Sequence, residues 1–310
     1  MLRTSLKTLV LAVAASALAA CGSGSDSGDS APKVTGQLPT DSIESAAEVG
    51  TVAVSGVSAG SASQQGLGYA FSAFAEDDSD YEEGIEQRRL RAQFSDSVAC
   101  GQSGEIQFSG SEESVSMTFL QCVNPDGSYV SGSMQAQVSE SGESGIRMSA
   151  SYNDFTVTEA SGDSVYINGD FRFTIANLFS GEMSIASNRF ESRVTENGET
   201  ESIVLANYSY NILNRSASAV ESNYDFYITT AEGTYHVWSE GNLTANSNNQ
   251  GLIGIVKIEG ANAILTATLT SDNQSATADL SLDIDKDGTV DLTGEMTQAE
   301  FFDEPLGNLE

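Results

Sequence analysis

The chain has 310 residues, with 13 Lys and Arg against 44 Asp and Glu, a formal net charge of −31 and a pI near 4.1. So acidic a surface excludes nucleic-acid binding, which needs cations to neutralise phosphate, and disfavours adhesion to anionic lipid headgroups. Its plain physical reading is solubility at high ionic strength, where screening tolerates dense charge.

Residues 1–20 read MLRTSLKTLVLAVAASALAA. Arg3 and Lys7 form a positive start, Leu9 to Ala14 an apolar run too short to span a bilayer, and small residues follow. That is the three-part pattern of a secretory signal. Leu18-Ala19-Ala20 before Cys21 resembles the lipobox of bacterial lipoproteins. The resemblance covers residues 1–21 only. It implies cleavage before Cys21, a diacylglyceryl group on its thiol and usually a further acyl chain, such as palmitate, on the new amino terminus. Several chains matter because one alone anchors only marginally. Gly22 stands where enteric bacteria place aspartate for inner-membrane retention, so in a Gram-negative cell the resemblance implies the outer membrane.

Residues 21–50 begin with a run of Gly, Ser and Asp and read as a flexible acidic tether. Residues 51–310 then form one β-rich domain. Thr51 to Val57 suits a strand. Ser63 to Phe74, with Leu67, Phe71 and Phe74, and Tyr81 to Phe94, with Ile85, Leu90 and Phe94, have helical spacing. Arg88, Arg89 and Arg91 sit beside Glu82, Glu83 and Glu86, as surface pairs on a helix do.

Besides Cys21, the chain contains Cys100 and Cys122, an even pair that reads as a disulfide in an exported protein. Pairing Phe108 with Val115 and Ile106 with Met117 makes a hairpin whose open end brings the two cysteines within a residue of register.

From Cys100 onward the hydrophobic period is two. Val165, Ile167, Gly169, Phe171, Phe173 and Ile175 share one face, and Tyr166, Asn168, Asp170, Arg172 and Thr174 the other, as in a half-buried antiparallel strand. Further strands are expected at 129–138, 146–157, 203–212, 225–230, 235–245, 252–259, 263–269, 278–284 and 290–296. Tight turns such as Asn197-Gly198 join them. Short connections make a meander, and so many strands must curl. The expected fold is mainly β: a large antiparallel meander forming a curved open sheet or a barrel-like sheet, with one or two short N-terminal helices. A transmembrane barrel is the alternative, to which a lipid anchor would be redundant. Tyr129-Val130-Ser131-Gly132-Ser133-Met134 is echoed by Tyr166-Ile167-Asn168-Gly169-Asp170-Phe171, which suggests reuse of one strand design.

Chemical motifs are sparse. Gly56-Val57-Ser58-Ala59-Gly60 matches the GxSxG nucleophile elbow, but no alternating strand and helix pattern surrounds it. The single histidine, His236, lies in an alternating strand and reads as a cross-strand residue. The sharpest feature is Asp283-Ile284-Asp285-Lys286-Asp287-Gly288-Thr289-Val290-Asp291. It resembles the opening of an EF-hand loop, with acids at positions one, three, five and nine and glycine at six. Position twelve is Gly294, not glutamate, and neither flank is helical. A three-residue loop over Lys286 to Gly288 sets Leu282 against Leu292, Ile284 against Val290 and Asp283 against Asp291. The departures favour a glycine-bulge hairpin with exposed acids, and Ca²⁺ held by Asp283, Asp285, Asp287 and Asp291 is the alternative.

The functional expectation is a membrane-anchored envelope lipoprotein, tethered through Cys21, that is structural or binds a protein or hydrophobic ligand without turnover. A calcium-organised surface adhesin or matrix protein is the second reading, and a GxSxG hydrolase the third.

Overall fold

The computed structural model describes residues 31–54 and 94–302, apart from 112–113, 126, 142–144, 178–181, 216–218, 247–250 and 273–274. Cys21, the elbow at Ser58, the helix candidate at 63–74 and all but the last residue of the one at 81–94 lie outside the described residues; Phe94, its last residue, belongs to a strand.

A single antiparallel sheet holds fifteen strands. They are β1 (Phe94–Ala99), β2 (Ser103–Ser111), β3 (Ser114–Val123), β4 (Tyr129–Ser141), β5 (Gly145–Thr158), β6 (Ser164–Asn177), β7 (Glu182–Glu196), β8 (Glu199–Arg215), β9 (Ala219–Thr230), β10 (Gly233–Ser239), β11 (Leu243–Asn246), β12 (Leu252–Glu259), β13 (Ile264–Ser271), β14 (Ala276–Asp283) and β15 (Leu292–Thr297). Each pairs with its neighbour in sequence, except that β12 pairs with β10 and the short β11 bridges β9 and β12. Among the described residues β1 and β15 do not pair, so the sheet has two edges. No helix described is long and apolar enough to cross a membrane.

The alternation in β6 holds: Val165, Ile167, Phe171 and Phe173 are buried on one face. β7 is a strand that periodicity misses, because Ser187 and a bulge interrupt its apolar side. Residues 235–245 form two strands rather than one, broken around Gly241 with φ +81°.

Register shifts at Phe119/Cys122, Ser131/Ser133, Tyr152/Phe155, Gly169/Arg172 and Ala206/Ser209 run across successive strands from β3 to β8. Such bulges bend strands and raise twist, which lets a wide sheet coil. The echoed glycines belong to this row. Gly132 and Gly169 both have positive φ, +95° and +130°, and a Cβ on either would lie 2.3 Å from a neighbouring carbonyl, that of Asp154 or Arg189. The reused strand design is therefore a place where a side chain does not fit.

The inner face carries one continuous core. Its middle is aromatic: Phe171 meets Phe190 at 4.8 Å and Tyr208 at 6.0 Å, and Tyr208 meets Phe226 at 5.4 Å between centroids. Edge and tilted contacts of this kind add to the gain from burial.

The C-terminal half of that face is covered by the N-terminal segment, which corrects the expected tether and strand. Residues 31–50 are not all spacer, and 51–54 are not a strand. Gly36 packs on the ring of Tyr235, with its N–H donating to Thr234 O at 2.9 Å, and Leu38 is 1 % exposed. Helix α1 then runs over 43–54. Ser42 caps it, its Oγ accepting the Ser45 N–H at 3.1 Å. Ile43, Ala46, Ala47, Ala53 and Val54 are buried. Their small size and helical spacing let the helix lie close to β12–β15, with Gly50 over Leu265 and Ile258, and Ile43 over Gly294. The polar composition of residues 22–40 conceals the few side chains that dock.

Helix α2 (Gln298–Phe302) packs beside α1, with Phe301 next to Gly50, and against β14 and β15. Gln298 is fully buried, and its amide joins three strands by accepting Leu252 N–H and donating to the carbonyls of Leu252, Thr270 and Thr277. Thr297 and Glu300 form a reciprocal capping box.

Cys100 and Cys122 are joined, with Cα atoms 5.4 Å apart. The hairpin register differs from expectation by two: Phe108 faces Met117, Ile106 faces Phe119, and Ser111 faces Ser114. A shift of two keeps every side chain on its own face, so the hydrophobic pattern cannot choose between the registers. Beside the bond β3 bulges at Gln121, φ +51°, opposite Gly104, φ +84°, whose carbonyl accepts the Cys100 N–H at 3.1 Å.

Candidate metal centre

The expected register of β14 and β15 is present, with Leu282 opposite Leu292. The ladder stops there, however, at a last bond from Asp291 N–H to Leu282 O of 2.9 Å. Ile284 and Val290 do not pair as strand residues, and 284–291 form a loop longer than the three residues expected.

The reason is visible in the hydrogen bonds: carboxylates have taken the amides. Asp283 accepts Asp287 N–H through Oδ1 at 3.1 Å and Gly288 N–H through Oδ2 at 2.9 Å. Asp285 Oδ1 also receives Asp287 N–H, at 3.3 Å, and Asp287 Oδ1 receives Thr289 N–H at 2.7 Å. Asp291 Oδ2 accepts Ile284 N–H at 2.8 Å from across the loop. Aspartates bond their own downstream backbone readily, which is why they compete with a ladder. Lys286 and Gly288 turn the chain with φ +62° and +90°.

This wrapping gathers Asp283, Asp285 and Asp287, each offering one carboxylate oxygen within 4.8 Å of the others. Asp283 is half-buried, while Asp285 and Asp287 are exposed. Asp291 is not in that group. Glu295 stands farther along β15, opposite Asp279. Lys286 does not point its charge into the cluster; its Nζ pairs with Glu259 Oε1 on β12 at 2.6 Å. Three hard oxygen donors of like charge suit Ca²⁺, which takes six to eight oxygens in flexible geometry. The remaining donors would come from backbone carbonyls, Asp291 or water.

His236 is the cross-strand residue expected. It faces Tyr227 on β9 and Glu259 on β12. Its ring stacks between those of Tyr227, 4.4 Å away, and Trp238, 4.5 Å away. Nε2 lies 2.8 Å from Asp225 Oδ1 and Nδ1 3.8 Å from Glu259 Oε2.

A hydrophobic-ligand carrier would want an apolar groove. Among the described residues the buried face of the sheet carries its own packed side chains, with α1 over β12–β15 and α2 against β14 and β15. The two cavities described, of about 250 and 400 Å³, are lined largely by polar and charged residues.

Compared with family models, with curated proteins and with solved structures, the chain matches none of them.

Proposed function

We propose that this chain is a lipid-anchored protein of the bacterial cell envelope that acts without turnover, by binding. The observation that carries the envelope reading is the Cys100–Cys122 bond, since structural disulfides persist in exported proteins and are rare in the cytosol. The signal pattern and Cys21 supply the route and the anchor. The folded region starts to pack near residue 35, so the tether is shorter than composition suggests, about fourteen residues.

Alkyne-palmitate labelling of cells making the wild-type chain and Cys21→Ser tests this reading. Label on the wild type alone, in the membrane fraction, is expected. A wild-type chain that is soluble and unlabelled would overturn it.

A second reading is favoured by one specific observation, the gathered oxygens of Asp283, Asp285 and Asp287. In it the same protein is organised by Ca²⁺, as a surface adhesin or matrix component is. The ion would relieve the repulsion among the three carboxylates and stiffen the β14–β15 connection. No cofactor beyond Ca²⁺ is part of either reading.

A further inference from the structure

The outward face of β8 to β10 holds a second constellation, remote in sequence from the acid loop. A cavity of about 250 Å³ is lined by Trp238, Asp225, Asn211, Asn223, Ser209 and Ser239. Trp238 is the only tryptophan in the chain. Its partner in register on β9 is Asp225, and Asn211 faces Asn223 across β8 and β9. The Ala206/Ser209 bulge, with Asn207 at φ +50°, bends β8 beside this depression. Bulges commonly re-aim side chains next to binding sites.

Polar groups in the cavity are held in a chain. Asn211 Nδ2 donates to Asn223 Oδ1 at 2.9 Å and to Ser209 Oγ at 3.2 Å. Asn223 Nδ2 donates to Asn242 Oδ1, and Asn242 Nδ2 to Glu221 Oε2, each at 3.4 Å. Asp225 is fixed by His236 Nε2. Amides ordered in advance lower the entropy a ligand must lose on binding.

The chemistry of the lining selects a ligand class by elimination. Trp238 ends the ring ladder, with one face stacked on His236. It therefore offers a single platform and not the several-walled cage that a quaternary ammonium prefers. Among the described residues an anion would meet Asp225 and Glu221 without a free counter-charge, because Lys257, the neighbour of Trp238 on β12, is already held by Glu240 at 2.9 Å. An apolar ligand would cover the half-buried amides of Asn211 and Asn223 without answering their spare hydrogen-bonding capacity. A sugar has an apolar C–H face for the indole and hydroxyls that both donate and accept, which amide and carboxylate groups complement.

We propose that this groove binds one unit of a neutral glycan, with the sugar ring on Trp238 and its hydroxyls on Asn223 and Asp225. The inference rests on the reading of the domain as a binder, and not on the lipid anchor or on Ca²⁺.

Because Trp238 is the sole tryptophan, its emission reports on the site directly. The full mature chain in detergent is titrated with maltohexaose and with chitohexaose, and then applied to an array of neutral glycans. A saturable emission change with at least one of these is expected, weakened about tenfold in Asn223→Ala and Asp225→Ala, with unchanged melting of both variants. Calorimetry with Trp238→Phe supplies a readout independent of emission, and weaker binding is expected. Absence of binding to every neutral glycan overturns the proposal, as does saturation by tetramethylammonium alone. Binding followed by cleavage of the oligosaccharide would uphold the site and overturn the non-enzymatic reading.

Discussion

Asp283 accepts the backbone N–H of Gly288 at 2.9 Å, closing the loop from its first acid to its glycine. These hydrogen bonds hold the three carboxylates close together, where a cation would relieve their repulsion. Purified protein melted in EDTA and then in Ca²⁺ at about a hundredfold excess over Kd is expected to gain about 2.7 kcal/mol. Asp285→Ala should abolish that gain while melting in EDTA at or above the wild type, because one of three crowded like charges is gone. An identical midpoint with and without Ca²⁺ would remove the metal from the account.

The Cys100–Cys122 bond closes a loop of 22 residues. Chain-entropy reasoning puts its worth at about 3 kcal/mol. The double variant Cys100→Ser/Cys122→Ser should lose about that much in urea melts, and the reduced wild type should match it. Loss of the β1–β3 amide protection in hydrogen exchange would localise the effect.

Asp170 on β6 gives a pH dependence. Burial pushes its carboxyl above the usual range, against the pull of Arg172 and the amides of Asn188 and Arg189. A raised folded pKa means that the native chain binds the proton more tightly than the unfolded one. Its contribution is therefore fully present below about pH 3.9 and is lost as pH rises through the folded pKa. Asp170→Asn should then melt higher than the wild type at pH 7, and the difference should shrink as pH falls below about 4. Differential scanning calorimetry of the pair across that range checks the sign.

Tyr208 and Tyr224 are buried among aromatic rings, and their hydroxyls find no hydrogen-bond partner among the described residues. Tyr208→Phe removes a desolvated group and no bond, so it should leave stability unchanged or raise it by about 1 kcal/mol. Tyr210→Phe, which loses a bond to Ser222, should instead cost about 1 kcal/mol. Equal losses in the two variants would show that Tyr208 is bonded after all.

Gly169 combines φ +130° with a Cβ position 2.3 Å from Arg189 O. Gly169→Ala should cost about 1–3 kcal/mol, because the obstacle is backbone and cannot rotate away. Gly198, in the β7–β8 turn with nothing within 4 Å, is the control. Alanine there pays only for its own φ of +84°.

Period-two patterning carried most of this fold. It needs only the nearest strand and one wet face, so β6 and β12 are readable from their own residues, and the single disulfide follows from counting cysteines. The capping box Thr297-x-x-Glu300 was also present as a local signal, although the short helix it starts was not foreseen. What escaped were features whose cause lies far along the chain. The docking of Gly36 on Tyr235 joins residues 199 positions apart, and polar neighbours hide it. The β2–β3 register was undetermined because slips of two preserve every face. Among the acids, spacing named the residues, but only the folded loop shows that Asp283, Asp285 and Asp287 converge while Asp291 turns to Ile284. Local alternation and composition determined the β meander, its acidity and its pair of cysteines. Tertiary structure decided which distant segments cover the core and which carboxylates meet, because those depend on contacts that no neighbour in sequence encodes.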